Sequence, residues 1–265
     1  RVETSLSPLE LLAVLRDIEA ELGRQRRERW AARCVDLDLL LFDDLILKTP
    51  ELELPHPRMA FRRFVLEPAA DVAADLLHPV IGWTMGQLLS HLNAAPNYLA
   101  ITGLPGVGKT ELARAVAAAT TSLLVTDPAT EWSPSENAAA HTLADELSRW
   151  RQRSQLLARQ RWTTESPVVI SDFWLGQSLA YSRRWQDAQQ RVALAAECRM
   201  AEAEVAQPKL LVFLDKPTVP EPWKTVREEL RNLVYQRGRG PMLELDASRP
   251  EWALVELRAA VEAMR

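Results

Sequence analysis

With 265 residues, of which 47% are hydrophobic and 26% charged, the chain has the profile of a globular protein with room for one or two domains. Its formal net charge of -4 excludes a general nucleic-acid binder, whose affinity rests on many cations neutralising phosphates. Cys34 and Cys198 lack CxxC spacing, which argues against a disulfide framework or structural zinc, and no apolar run reaches the roughly 18 residues of a membrane span; the expected location is cytoplasmic.

The chain opens at Arg1 in what reads as the end of a strand, so a fragment of a longer protein is expected. "SPLELLAVLRDIEAELG" carries a capping box from Ser7 to Glu10, with Pro8 in the first helical turn. Leu11, Leu15, Ile18 and Leu22 then recur at helical spacing, and Gly23 is a stop. After a loop holding Arg24, Arg26, Arg27, Arg29 and Arg33, the stretch "CVDLDLLLF" alternates. Val35, Leu37 and Leu39 fall on one face and Asp36 and Asp38 on the other, which predicts a half-buried strand. A loop at "PHPRM", a mixed stretch around "FRRFVLEPAADVAADLLHP" and a short amphipathic helix ending near Leu92 follow. Beyond "NAAPN", apolar runs alternate with helical segments: "YLAIT", "SLLVT", "PVVIS", "KLLVFLD" and "MLELDA". That pattern predicts a parallel α/β sheet, with a domain boundary at about residue 95.

Two places carry candidate chemistry. Side chains at i and i+2 of a strand point the same way, roughly 7 Å apart, so Asp36 and Asp38 can hold magnesium between them. The arginine loop supplies guanidinium groups to grip a polyphosphate, with His56, Arg62 and Arg63 as further donors. Taken alone, an Asp-x-Asp on a strand is more often a solvated face and an arginine-rich turn is usually surface. The second place is "GLPGVGKT". Here Gly103, Gly108, Lys109 and Thr110 follow an apolar run and precede a helix, as a phosphate-binding loop requires, and Gly106 lies within the turn. Glycines let backbone N–H groups face a phosphate, Lys109 reaches the terminal phosphates and Thr110 can ligate magnesium. Asp127 and Asp172 close the next two apolar runs, at the strand ends where such sheets gather their chemistry. Either can act as general base or order magnesium, and either can equally be a turn residue or helix cap.

The combination "GRQRRERWAARCVDLDLLLF", "LELPHPRMAFRRFVLEP" and "LLHP" resembles the 6-hydroxymethyl-7,8-dihydropterin pyrophosphokinases, folate-pathway enzymes that move a diphosphate from ATP to a pterin alcohol. The resemblance runs from residue 1 to about 92 and implies a ferredoxin-like α+β domain lacking its N-terminal part, so the full-length protein is expected to hold the activity and this chain alone to lack it. It makes Asp36 and Asp38 the Mg²⁺ ligands and puts Arg24, Arg26, Trp30 and Arg33 in a catalytic loop. His56 and Arg62 would contact ATP, and Phe64 would lie near the pterin. The sequence departs from that family in having Ala31 and Ala32 after Trp30, and acidic Glu51 and Glu53 before the "PHP".

The order P-loop, "TDPATEW", "VVISDFWLGQ" and "PKLLVFLDKP" is similar to the deoxynucleoside kinases over about residues 97 to 265. That similarity implies Asp127 as the base for a sugar hydroxyl, Trp132 as a wall of the base pocket and Asp172 as the acidic residue after the third strand. Glu146 stands near where a base-reading glutamine is expected, and Arg227 and Arg231 are lid remnants or a solvated helix face.

The combined expectation is α/β overall. An incomplete ferredoxin-like domain at 1–94 precedes a P-loop parallel-sheet kinase-like domain at 95–265, and both use ATP and Mg²⁺. The alternatives are a P-loop half that binds nucleotide as a scaffold without catalysis, and a first half that is an inactive structural relic. Expected partners are small molecules, a pterin alcohol and a deoxynucleoside, with no nucleic acid and no membrane; a homodimer is left open.

Overall fold

The structure, a computed structural model, describes residues 1–22, 35–128, 142–184 and 188–264. Helix α1, Pro8–Glu21, begins where the capping box places it: Ser7 N–H donates to Glu10 Oε2 at 2.7 Å and Glu10 N–H to Ser7 Oγ at 3.4 Å. Its apolar residues do not form the buried stripe the spacing suggests, for Ile18 and Leu22 are exposed and the buried side chain is Glu19. Glu19 turns inward because its Oε1 accepts the Leu37 N–H at 2.8 Å.

That bond bears on the strand expected over 34–42. Residues 35–42 form no ladder. A strand needs a neighbouring edge for its peptide groups. Here the Leu37 N–H goes to a side chain, and the Leu40 carbonyl accepts the His56 N–H at 2.8 Å. The alternation persists without the pairing, since Val35, Leu37 and Leu39 are half-buried and Asp36 and Asp38 exposed.

Strands β1, Leu47–Lys48, and β2, Glu53–Leu54, form a short antiparallel pair in the first half. A buried 3-10 turn, Met59–Phe61, leads into α2, Arg63–Ala73, and α3, Met85–Ala94. All five apolar runs of the second half become strands: β3 Tyr98–Thr102, β4 Leu123–Val125, β5 Val169–Ser171, β6 Leu210–Asp215 and β7 Met242–Asp246. They form one parallel sheet in the order β4-β5-β3-β6-β7. The helices that follow these strands are α4 Lys109–Thr120, α5 Leu143–Leu156, α6 Gln177–Tyr181, α7 Ala188–Ala201, α8 Glu221–Val234 and α9 Pro250–Met264.

Alternate strand residues feed two cores, as a sheet covered on both faces requires. Leu99, Ile101, Leu210 and Val212 meet α4 and α9, while Tyr98, Ala100, Leu211 and Phe213 meet the face holding Phe173, Tyr181, Trp223 and Leu230. The first of these cores continues through Leu92, Leu88, Met85, Leu66, Phe61 and Met59, so residues on both sides of position 95 share one apolar cluster. No helix among the described residues is long and apolar enough to cross a membrane.

Candidate nucleotide sites

The first-half constellation gathers around the loop 56–62. His56 Nδ1 accepts the Arg58 N–H at 3.2 Å, so in the neutral ring the proton sits on Nε2, which is left as the donor. Burial holds the His56 pKa below its usual value, against the nearby Asp38 carboxylate; Arg62 and Arg58 lower it further and Asp36 raises it. Burial likewise lowers Arg62, with Arg58 adding to the shift and Asp38, Glu256 and Asp36 opposing it. His56 and Arg62 thus each feel the charges of Asp36, Asp38 and Arg58, although 18 positions separate Asp38 from His56. Phe64 is 64% exposed, with the Arg62 guanidinium over its ring 5.6 Å from the centroid. Arg24, Arg26, Trp30 and Arg33 lie outside the described residues. Among the described residues no group of three or more His, Cys, Asp or Glu is arranged to hold a metal.

The P-loop half is organised differently. After β3 the chain turns at Gly103, where a Cβ would lie 2.3 Å from the Leu214 carbonyl oxygen, so β6 leaves room only for glycine. Gly106 and Gly108 adopt φ of 74° and 93°, and Gly108 caps α4, whose N-terminus faces the loop. Lys109 Nζ donates to the Leu104 carbonyl at 2.8 Å. Burial pulls its pKa down to about 8, with Asp172 and then Asp127 opposing.

Behind the loop a chain of short bonds links strand ends to helices. Thr110 Oγ1 donates to Asp172 Oδ2 at 2.6 Å, and the Asp127 N–H donates to Asp172 Oδ1 at 2.6 Å. Arg153, on the buried face of α5, grips both oxygens of Asp127 with Nε at 3.0 Å and Nη2 at 2.6 Å, and its Nη1 donates to Ser178 Oγ at 2.9 Å. Burial works against the Arg153 charge, but Asp127 and then Glu146 outweigh it, and its pKa stands above the ordinary value. Glu146, 3.7 Å from Arg153, is itself buried. Tyr181 Oη donates to the Gly103 carbonyl at 2.7 Å. The sequence reading named Asp127, Asp172, Lys109 and Thr110, and the structure brings all four together. It missed Arg153 and Tyr181. No periodic signal in the sequence marks Arg153: that Glu146, Trp150 and Arg153 are the buried residues of α5 is seen only in the fold. Trp132 lies outside the described residues. Arg227 and Arg231 are not a solvated face: both pair with Asp215 at the end of β6, and Arg231 also pairs with Glu244.

Residues 1–74 match the family model described as 7,8-dihydro-6-hydroxymethylpterin-pyrophosphokinase (HPPK). A 2-amino-4-hydroxy-6-hydroxymethyldihydropteridine pyrophosphokinase from Pseudomonas aeruginosa is 46% identical over 105 residues, covering 40% of this chain and 62% of that protein. One from Bacillus subtilis is 51% identical over 75 residues, covering 28% of this chain and 45% of that protein. A solved deoxyadenosine kinase from M. mycoides with bound dATP aligns over 62% of this chain and 99% of that one, at 14% identity and a TM-score of 0.49. The reading of the second half rests on its own motif and bonding. The first half of the chain is thus similar to the pterin pyrophosphokinases, and the chain spans less than two thirds of the length of these two curated relatives.

Proposed function

We propose that the chain carries two ATP- and Mg²⁺-dependent phosphate-handling sites. Residues 1–94 provide the ATP side of a pterin pyrophosphokinase, and residues 95–265 a P-loop kinase-like module. The observation that carries the first assignment is the charge group Asp36, Asp38, His56 and Arg62, which lies entirely within the segment matched by the family model. The reaction is attack of the 6-hydroxymethyl oxygen of the dihydropterin on the β-phosphorus of ATP; a new O–P bond forms, the bridge to the α-phosphate breaks, the hydroxyl proton is lost and AMP leaves. Arg62 and the Nε2–H of His56 supply positive charge and a donor to the phosphate oxygens. Phe64 offers a stacking surface for the pterin, while the roles of Arg24, Arg26, Trp30 and Arg33 rest on the family resemblance alone. Asp36 and Asp38, hard oxygen donors exposed beside these cations, fit Mg²⁺, which when bound neutralises phosphate charge. The assignment is tested by AMP release from ATP in the presence of 6-hydroxymethyl-7,8-dihydropterin. Release lost in Asp36→Ala and Asp38→Ala supports it; because the chain spans less than two thirds of the two curated relatives, the result that contradicts it is Mg²⁺-ATP binding read at His56 that is no tighter in the wild-type chain than in the two variants.

At the P-loop, backbone N–H groups of 103–108 and Lys109 hold the nucleotide phosphates, and Thr110 with Asp172 provides adjacent oxygens that fit Mg²⁺. In a nucleoside-kinase reading Asp127 takes the proton of a sugar hydroxyl and Asp172 lines the acceptor pocket, with Trp132 assigned there by the resemblance alone. One observation favours a second reading, in which this half binds nucleotide as a scaffold: both oxygens of Asp127 are already engaged by Arg153. Phosphorylation assays on the four deoxynucleosides separate the two. Turnover that depends on Asp127 and Lys109 supports the kinase, and its absence with nucleotide binding intact supports the scaffold.

A further inference from the structure

Apart from both nucleotide sites, the second half holds a cavity of about 290 Å³ beside the core that contains Phe173 and Tyr181. Trp150 of α5 and Trp174, just before α6, form two of its walls and are themselves 5% and 6% exposed. Gln207 leads into β6, and Gln236 and Arg239 lead into β7, so part of the lining comes from the amino ends of strands. The P-loop follows the carboxyl end of β3 in the same parallel sheet, and Lys109, Thr110, Asp127, Arg153 and Asp172 do not line the cavity.

Its walls suit a flat ring. Gly176 sits at φ -62°, where alanine is unstrained, yet a Cβ there would stand 2.3 Å from the Trp174 ring. The indole therefore rests directly on the Gly176 backbone, and that close approach sets one wall. Among the described residues neither the Trp150 nor the Trp174 N–H meets an acceptor, and neither is sealed from solvent. A buried indole N–H usually has a partner, so both can still receive one. The charge at the cavity has one sign. Arg199 and Arg239 line it, the Arg239 guanidinium lying 5.6 Å from the Trp174 ring centroid, and no described carboxylate does. Glu197, the nearest acidic residue before Arg199 on α7, pairs with Arg151 at 3.9 Å. The volume lies at the lower end of small-molecule pockets, which fits one or two fused rings with a short substituent and not a nucleoside triphosphate.

We propose that this cavity is a binding site for a small, flat aromatic anion, its ring packed against the Trp150 and Trp174 indoles and its charged oxygens directed to Arg199 and Arg239. The site goes beyond both nucleotide readings and depends on neither.

The test titrates the full chain with 2-naphthoate, two fused rings bearing one carboxylate, and with its neutral counterpart 2-naphthamide. Binding is read by NMR at the indole N–H signals of Trp150 and Trp174, assigned with Trp150→Phe and Trp174→Phe, and at the Thr110 amide for the P-loop. Naphthoate should shift both indole signals saturably with a Kd below about 1 mM, and naphthamide should bind about tenfold more weakly. Arg199→Gln should narrow that gap to about threefold. Gly176→Ala, whose methyl displaces the Trp174 ring, should weaken both probes by about tenfold while an unmoved Thr110 amide shows that the fold is kept. Indole signals that ignore naphthoate at about 5 mM, naphthamide that binds as tightly as naphthoate, or a gap that survives Arg199→Gln overturns the proposal. A naphthoate response at Thr110 in place of the indoles overturns it as well.

Discussion

The two sites handle charge in opposite ways. Around the P-loop, Lys109, Asp172, Asp127 and Arg153 are buried or half-buried and tied by bonds of 2.6 to 3.0 Å into strand ends and helices, with the buried Glu146 carboxylate 3.7 Å from Arg153. Around His56 the aspartates are exposed, and the cations sit on one short buried turn. Removing a charge from the buried network strips a partner from a group that has no water to fall back on, whereas removing one from the open cluster leaves water in its place. The first arrangement ought to matter for folding as well as for function. The second ought to matter for function alone.

The largest expected effect follows from that contrast. Arg153→Met leaves the buried Glu146 and the engaged Asp127 without their shared cation, and should cost about 3–5 kcal/mol in urea unfolding. Asp38→Asn should leave the unfolding free energy within about 0.5 kcal/mol of wild type while weakening Mg²⁺-dependent ATP binding read at His56 by about tenfold. Equal stability losses in the two variants would break the comparison.

A third prediction sharpens it with pH. The Lys109 pKa of about 8 lies below the ordinary lysine value of 10.5, so between these values the folded protein has lost a proton that the unfolded chain still holds. This group's contribution to stability therefore rises with pH across that window. Its contribution to phosphate binding runs the other way, because the cation is lost. Nucleotide affinity at the P-loop, followed by calorimetry, should fall about tenfold by pH 9, and the decline should be absent in Lys109→Arg. Affinity read at the first site rests on Arg62 and should not share that decline. The smallest effect belongs to Gly108→Ala, which places a Cβ on a residue at φ 93° and should cost about 1 kcal/mol in thermal unfolding.

The P-loop was legible because its requirements are local. Strand, glycine turn and helix N-terminus follow one another within Tyr98–Thr120, and the spacing of Gly103, Gly108, Lys109 and Thr110 encodes the geometry directly. The five strands were legible for a related reason, since apolar runs bounded by polar turns are rare outside doubly covered sheets. The strand over 34–42 was not, because pairing is a property of two segments. The alternation of Asp36 and Asp38 is real, yet the backbone finds Glu19 and His56 instead of a neighbouring strand. Arg153 escaped notice because its partner Asp127 lies 26 positions away, and the Arg58 to Glu256 contact spans most of the chain. Long-range ion pairs leave no periodic trace in a sequence. The arginines of α8 show the same limit: their spacing predicted a shared face, and only the fold reveals that Asp215 and Glu244 occupy it.

The account stands on the paired aspartates and the His56–Arg62 turn forming one metal–triphosphate site separate from the P-loop. Crystals soaked with Mn²⁺ and a non-hydrolysable ATP analogue test this most directly, through the anomalous signal of the metal. The account predicts two peaks, one between Asp36 and Asp38 with triphosphate density toward His56 and Arg62, and one beside Thr110 and Asp172. A single peak at the P-loop, with the aspartates facing bare solvent at saturating metal and analogue, would contradict it.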